Sequence, residues 1–153
     1  MGLISNGTTL LDAGAINDGI ATGNMILIKT LTASNSATLS FVHGASSVVL
    51  DGTYKSYVFK CINIHPIDDN VSFQINFRDG GTAYDATKQL FEPASTTFVK
   101  HFLARSTDYG QDNSIGDRYI AGYCNVTAAI DGVQFSFTGG NIDTGTIKMY
   151  GIL

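Results

Sequence analysis

The side chains able to do acid–base, nucleophilic or metal chemistry are few, and their spacing organises none of them into a reaction site. Three histidines, His43, His65 and His101, could move protons near neutral pH. None stands at metal-ligand spacing from another or from a cysteine, so each reads as a surface or structural histidine. His43 and His65 lie beside turns, and His101 lies in a strand pattern next to Lys100 and Phe102. Thirteen Asp and Glu are present. Glycoside hydrolysis needs two facing carboxylates, and no pair is singled out. Residues 108–117, Asp-Tyr-Gly-Gln-Asp-Asn-Ser-Ile-Gly-Asp, are the best calcium candidate, because Asp, Asn and backbone carbonyls are hard oxygen donors. Their spacing does not match an EF-hand. Asp and Asn also hydrogen-bond their own backbone in ordinary turns, so the expectation is a self-bonded loop that needs no metal. Asp68-Asp69-Asn70 reads as a hairpin turn. No Gly-rich phosphate loop, dinucleotide fingerprint, H-E-x-x-H or G-x-S-x-G occurs. The expectation is a protein without catalytic residues, metal or cofactor, and not an enzyme.

The remaining chemistry-bearing groups are equally bland. Cys61 and Cys124 are far apart in sequence, and a secreted disulfide scaffold would be smaller and richer in cysteine. Buried reduced thiols are the favoured reading, with a Cys61–Cys124 bridge as the alternative. Residues 1–6 show neither a positive n-region nor an apolar h-region, so no signal peptide is expected. Asn6 stands where a myristoylation signal wants Ser or Thr. Asn6-Gly7-Thr8, Asn70-Val71-Ser72 and Asn125-Val126-Thr127 match the glycosylation sequon, but in a chain rich in Asn, Ser and Thr they read as chance. Sugar binding usually uses aromatic platforms. There is no Trp, and the seven Tyr fall in strands or beside turns.

Composition narrows the partners. The 153 residues suit one domain, and only 14% are charged, against ~25% in a typical globular chain. Neutral polar residues must therefore cover much of the exterior. Such a surface suits a protein that hides area against copies or partners. The net charge is −4, with nine scattered Lys and Arg. Without a basic cluster, neither nucleic acid nor an anionic membrane is an expected partner.

The elements that would position these groups are strands. Residues 71–78 alternate apolar and polar, as do 133–138, and each run is bounded by Gly and Asp turns. Residues 146–152 read as the last strand. Residues 25–32 and 54–64 are apolar on both faces in places, which predicts central strands or strands under a second layer. Shorter candidates are 38–42, 97–103 and 119–127, the last weakened by Gly122. Pro66 and Pro93 fall in expected connections. About eight strands and no helical stripe predict an all-β, antiparallel two-sheet sandwich, jelly-roll-like, over residues 25–153, with a closed barrel as the alternative. Residues 1–24 differ. Gly-containing turns punctuate them, yet Leu3, Ile4, Leu10, Leu11, Ile16 and Ile20 are large aliphatics. That pattern predicts an extended N-terminal arm whose aliphatics contact a partner; an ordinary edge strand plus loop is the alternative.

A set of short segments carries a further reading. Phe91-Glu92-Pro93-Ala94-Ser95-Thr96-Thr97-Phe98-Val99-Lys100-His101-Phe102 and the ending from Gly139-Gly140-Asn141 to Tyr150-Gly151-Ile152-Leu153 stand out. The opening Met1-Gly2-Leu3-Ile4-Ser5-Asn6, then Thr32-Ala33-Ser34, Ser40-Phe41, Tyr54-Lys55-Ser56-Tyr57-Val58-Phe59, Asn63-Ile64-His65-Pro66 and Gly80-Gly81-Thr82-Ala83-Tyr84, complete the set. In this order it resembles virion structural proteins of tailed phages, notably those infecting marine bacteria. The resemblance spans nearly the whole chain. One departure is a long Gly- and Ser-rich insertion of the relatives, which here shrinks to Asp85-Ala86-Thr87-Lys88-Gln89-Leu90; a binding role in that insertion does not carry over.

The resemblance implies a virion component assembled in the host bacterial cytoplasm. It implies most directly a capsid decoration or cement protein, a homotrimer whose partners are the major capsid protein and its own copies. A tail fibre, collar or baseplate module contacting host glycans is the alternative.

Overall fold

The computed structural model describes residues 3–5, 8–12, 15–16, 24–80, 85–86, 94–109, 115–124 and 127–153. The chain is all-β, with antiparallel sheets packed together, as expected. Alternation decides which side of each strand faces inward. In β12 (Ile142–Ile152), Ile147 and Met149 are fully buried on one side of the pleat, and Lys148 stands between them.

β12 is the centre of a three-stranded sheet, flanked by β4 (Met25–Ser36) and β6 (Ser56–Pro66). The opposing sheet has the order β5 (Leu39–Val42), β11 (Gly132–Phe137), β7 (Phe73–Arg78), β8 (Asp85–Ala86). β4 pairs with β12 and β5 with β11, so early strands nest against late ones across two sheets. This is jelly-roll connectivity. Rings from both sheets meet in the middle: Phe59 packs against Phe41 and Phe135, with centroids 5.4 Å apart in each case. Val133, Ile142 and Ile130 complete the dry core.

Several expectations are corrected. Among the described strands, β4 and β6 flank β12 and are not central, and their sheet packs against a second layer, the other arrangement expected of them; Met25 and Leu27 of β4 are exposed. Asp68-Asp69-Asn70 is a turn but not a hairpin, since it carries the chain from β6 in one sheet to β7 in the other. Pro66 closes β6, opposite Ile142, instead of lying in a connection.

Residues 1–24, expected as an extended arm, contain three short strands. β1 (Leu3–Ser5), β2 (Thr8–Asp12) and β3 (Ala15–Ile16) form a small antiparallel sheet of their own, with Leu3 opposite Leu11 and Leu11 opposite Ile16. Ile4 pairs with Thr9, Leu10 lies within β2, and Ile20 is outside the described residues.

The sandwich has two unlike ends. Short connections β4–β5, β6–β7 and β11–β12 gather at one. The other holds the start of β4, residues 43–55 and the start of β11. There Asp131 joins three strands: its N–H donates to the Arg78 carbonyl (2.8 Å), and its carbonyl accepts from the His43 N–H (2.8 Å). The Arg78 guanidinium grips its carboxylate in a fork, Nε–Oδ1 2.8 Å and Nη2–Oδ2 3.1 Å. From this second end leave the two remaining described strands, β9 (Lys100–Tyr109) and β10 (Ile115–Cys124).

Candidate functional site

Among the described residues, β9 and β10 pair only with each other, in an unbroken ladder from Cys124↔Lys100 to Ile115↔Tyr109. Ten residues per strand give a ribbon ~34 Å long. Its base is anchored in the sandwich. Lys100 is buried, and its Nζ donates to the Ala128 carbonyl at 2.6 Å, next to buried Cys124 and Ile130. Burial lowers the Lys100 pKa from its ordinary value, while the nearby Cys124 and Asp79 oppose that shift.

Residues directly opposite in an antiparallel pair point to the same side. The ladder therefore gives one face His101, Leu103, Arg105 and Thr107 from β9, with Tyr123, Ala121, Tyr119 and Asp117 from β10. His101 lies beside Tyr123 with centroids 6.2 Å apart. Arg105 sits 5.1 Å above the Tyr119 ring and forks onto Asp117 at 3.0 and 2.9 Å. Their hydrogen bond lowers the Asp117 pKa and raises that of Arg105. On the other face the Phe102 ring covers Gly122; a Cβ at Gly122 would run into that ring, so any larger residue there requires the ring to move.

These braces leave a large apolar surface in solvent. Leu103 is 73% exposed, Ile115 74%, Tyr119 75%, Tyr123 58% and Ile120 46%. A shallow hollow lies between Leu103, Arg105, Tyr119 and Ile120. Scattered exposed apolar residues are ordinary, but several on one ribbon form a patch of the kind that marks an interaction site. A two-stranded ribbon is also marginal alone in water and gains from a third layer or strand.

The candidates read from the amino-acid sequence are not brought together into a chemical site. His43 Nδ1 accepts from the Leu50 N–H at 3.1 Å, which makes it a loop brace. His65 lies at the end of β6 and His101 on the ribbon. Among the described residues, no group of three His, Cys, Asp or Glu is placed to hold a metal ion. The acidic loop expected over 108–117 is narrower: β9 runs to Tyr109 and β10 begins at Ile115, and Asp117 is paired with Arg105. Residues 110–114 lie outside the described residues. Neither cysteine forms a disulfide; Cys124 is buried as expected, but Cys61 is exposed, because edge strand β6 leaves that part of the sandwich uncovered.

Sequence reasoning misses the ribbon as a unit, although its signal is present. Two β-rich runs of similar length flank a Gly-, Asp- and Asn-rich segment, which is a hairpin pattern. No family model, curated protein or solved structure matches the chain.

Proposed function

We propose that this protein is a structural component of a tailed-phage virion, most directly a capsid decoration protein that braces the head shell through protein–protein contacts. The observation that carries the reading beyond the sequence resemblance is the apolar ribbon projecting from one end of a compact sandwich. A brace needs a rigid body and a surface that reaches neighbouring subunits, and no bond is made or broken. Low charge fits contacts whose centres are depleted in ions. The partners in this reading are the major capsid protein and further copies of the chain, arranged as a homotrimer. Many individually weak contacts then act together on the shell.

The exposed rings of Tyr119 and Tyr123 favour a second reading, a tail module that contacts host glycans through stacking. Cryo-electron microscopy of intact virions separates the two. One copy per shell subunit or per three-fold seam supports decoration. Copies confined to the vertex or tail support the second, and absence from purified virions overturns both.

A further inference from the structure

We infer that copies of this chain associate through their ribbons, with the β10 edge of one copy hydrogen-bonded to the β9 edge of the next. The inference deepens the reading above and rests on it only for self-association; it names the surface that joins the copies. The first ground is backbone chemistry. Each ribbon has two edges, and neither is paired with a described strand. Unpaired N–H and C=O rows on a long strand template further pairing, and proteins that must stay single blunt such edges with proline, bulges or inward charges. β9 and β10 contain no proline, and their ladder shows no bulge.

The second ground is geometry. β9 and β10 run in opposite directions and have equal length. When copies stand side by side with ribbons pointing the same way, β10 of one and β9 of its neighbour are antiparallel, as sheet pairing favours. Each copy presents one edge of each kind, so the contact is head-to-tail, and it closes into a ring where the rotation between neighbours returns to the first copy. In a ring of copies no ribbon edge is left open.

The third ground is what the face carries. Leu103, Ile115, Tyr119 and Tyr123 share one face and are 58% to 75% exposed. Taking ~150–200 Å² for a large side chain, they expose on the order of 400–550 Å² per copy. That is more than half of the ~800 Å² per partner of a standard interface, before any backbone contribution. Charge selects the partner. Beyond buried Lys100, the ribbon carries Arg105 and Arg118 against Asp108 and Asp117. An acidic or basic partner gains nothing from that balance, whereas a copy of the same ribbon meets no net repulsion.

The test is the mass of the purified full chain by light scattering at tens of micromolar, wild type against Leu103→Thr/Tyr119→Thr. Both positions are exposed, and threonine retains strand preference. The inference expects wild type at a defined multiple of 16.3 kDa, and a shift of the variant to monomer with an unchanged circular dichroism spectrum. Leu103→Lys/Tyr119→Lys serves as a second variant, adding repulsion at the same contact. A monomeric wild type overturns the inference, and so does an oligomer that both variants leave intact. Binding of each protein to isolated phage heads keeps the two readings apart. A monomer that still decorates heads sinks the ribbon contact alone; a ribbon-dependent oligomer that ignores heads sinks the decoration reading alone.

Discussion

Replacing Asp131 by Ala is expected to destabilise the domain by about 2 kcal/mol. The Asp131 carboxylate accepts two guanidinium hydrogen bonds from Arg78, at 2.8 and 3.1 Å, and a third bond from the Gly80 N–H at 3.2 Å. A fully exposed ion pair would contribute ~0–1 kcal/mol. Breaking a fully buried one would cost ~3–5 kcal/mol. The side chains here are 18% and 32% exposed, which places the pair between those limits. The Asp131 backbone bonds to Arg78 and His43 persist in the variant, so the loss is confined to the side chain. For a chain of this length, 2 kcal/mol corresponds to a fall in Tm of roughly 4–8 °C. Urea unfolding of wild type, Asp131→Ala, Arg78→Met and the double variant gives the coupling directly. A coupling of ~1 kcal/mol or more is expected from a pair in direct contact. A single-variant loss below ~0.5 kcal/mol, or additive single variants, would refute the reasoning, because the fork would then be no better than a solvent-exposed pair. The site bears on the ribbon because Asp131 follows Ile130 and the Ala128 carbonyl that anchors Lys100 at the ribbon's base.

Three further outcomes are expected. Thiol reagents should modify Cys61 and spare buried Cys124 in the native protein. The thiolate is the reactive form, so labelling of Cys61 should accelerate as pH rises; a rate that stays flat from about pH 7 to 9 would contradict that. Melting curves with chelator and with millimolar calcium should superimpose, and a large calcium-dependent rise in Tm would identify a cation site near residues 110–114. A chain lacking residues 1–23 should still melt cooperatively, because β1–β3 pair with one another and with no described strand of the sandwich. Under the proposed decoration role, the truncated chain binds phage heads far more weakly than the full chain, and failure of the truncated chain to fold would make that segment part of the domain core.

Alternation makes the sandwich legible. The runs in β7 and β11 name their own buried sides, and Phe77, Val133 and Phe135 are buried as the pattern requires. Position within a sheet is not legible. β4 and β6 look central because they are long and apolar, yet the place between them belongs to β12, and only pairing reveals it. Cys61 shares its parity with Tyr57 and Phe59, which points it inside, but exposure rises along β6 as an edge strand. The ribbon's braces depend on register. Arg105 and Asp117 are twelve residues apart and meet because Tyr119 stands opposite Arg105. Gly122 reads as a defect in a strand when its neighbours in sequence are all that is known; the pairing places Phe102 across from it and gives the missing side chain a purpose.

The polarity of the sandwich bears on how such a domain would sit in an assembly. At the end with short connections, polar groups satisfy one another: Asn141 Nδ2 donates to Asn35 Oδ1 at 2.9 Å, and the Thr138 N–H to the Ser72 carbonyl at 3.0 Å. That end is self-contained and has little reach. At the opposite end the chain enters β4 from the N-terminal segment and sends out a ribbon ~34 Å long. Contacts that span a seam between neighbours need both reach and rigidity. The ribbon gains reach from its length and rigidity from the Arg105 fork, the ring over Gly122 and the buried Lys100 at its root. A partner meeting the ribbon end finds the exposed side chains of Leu103, Ile115, Tyr119 and Tyr123 on one face of a strand pair whose root is fixed by buried Lys100.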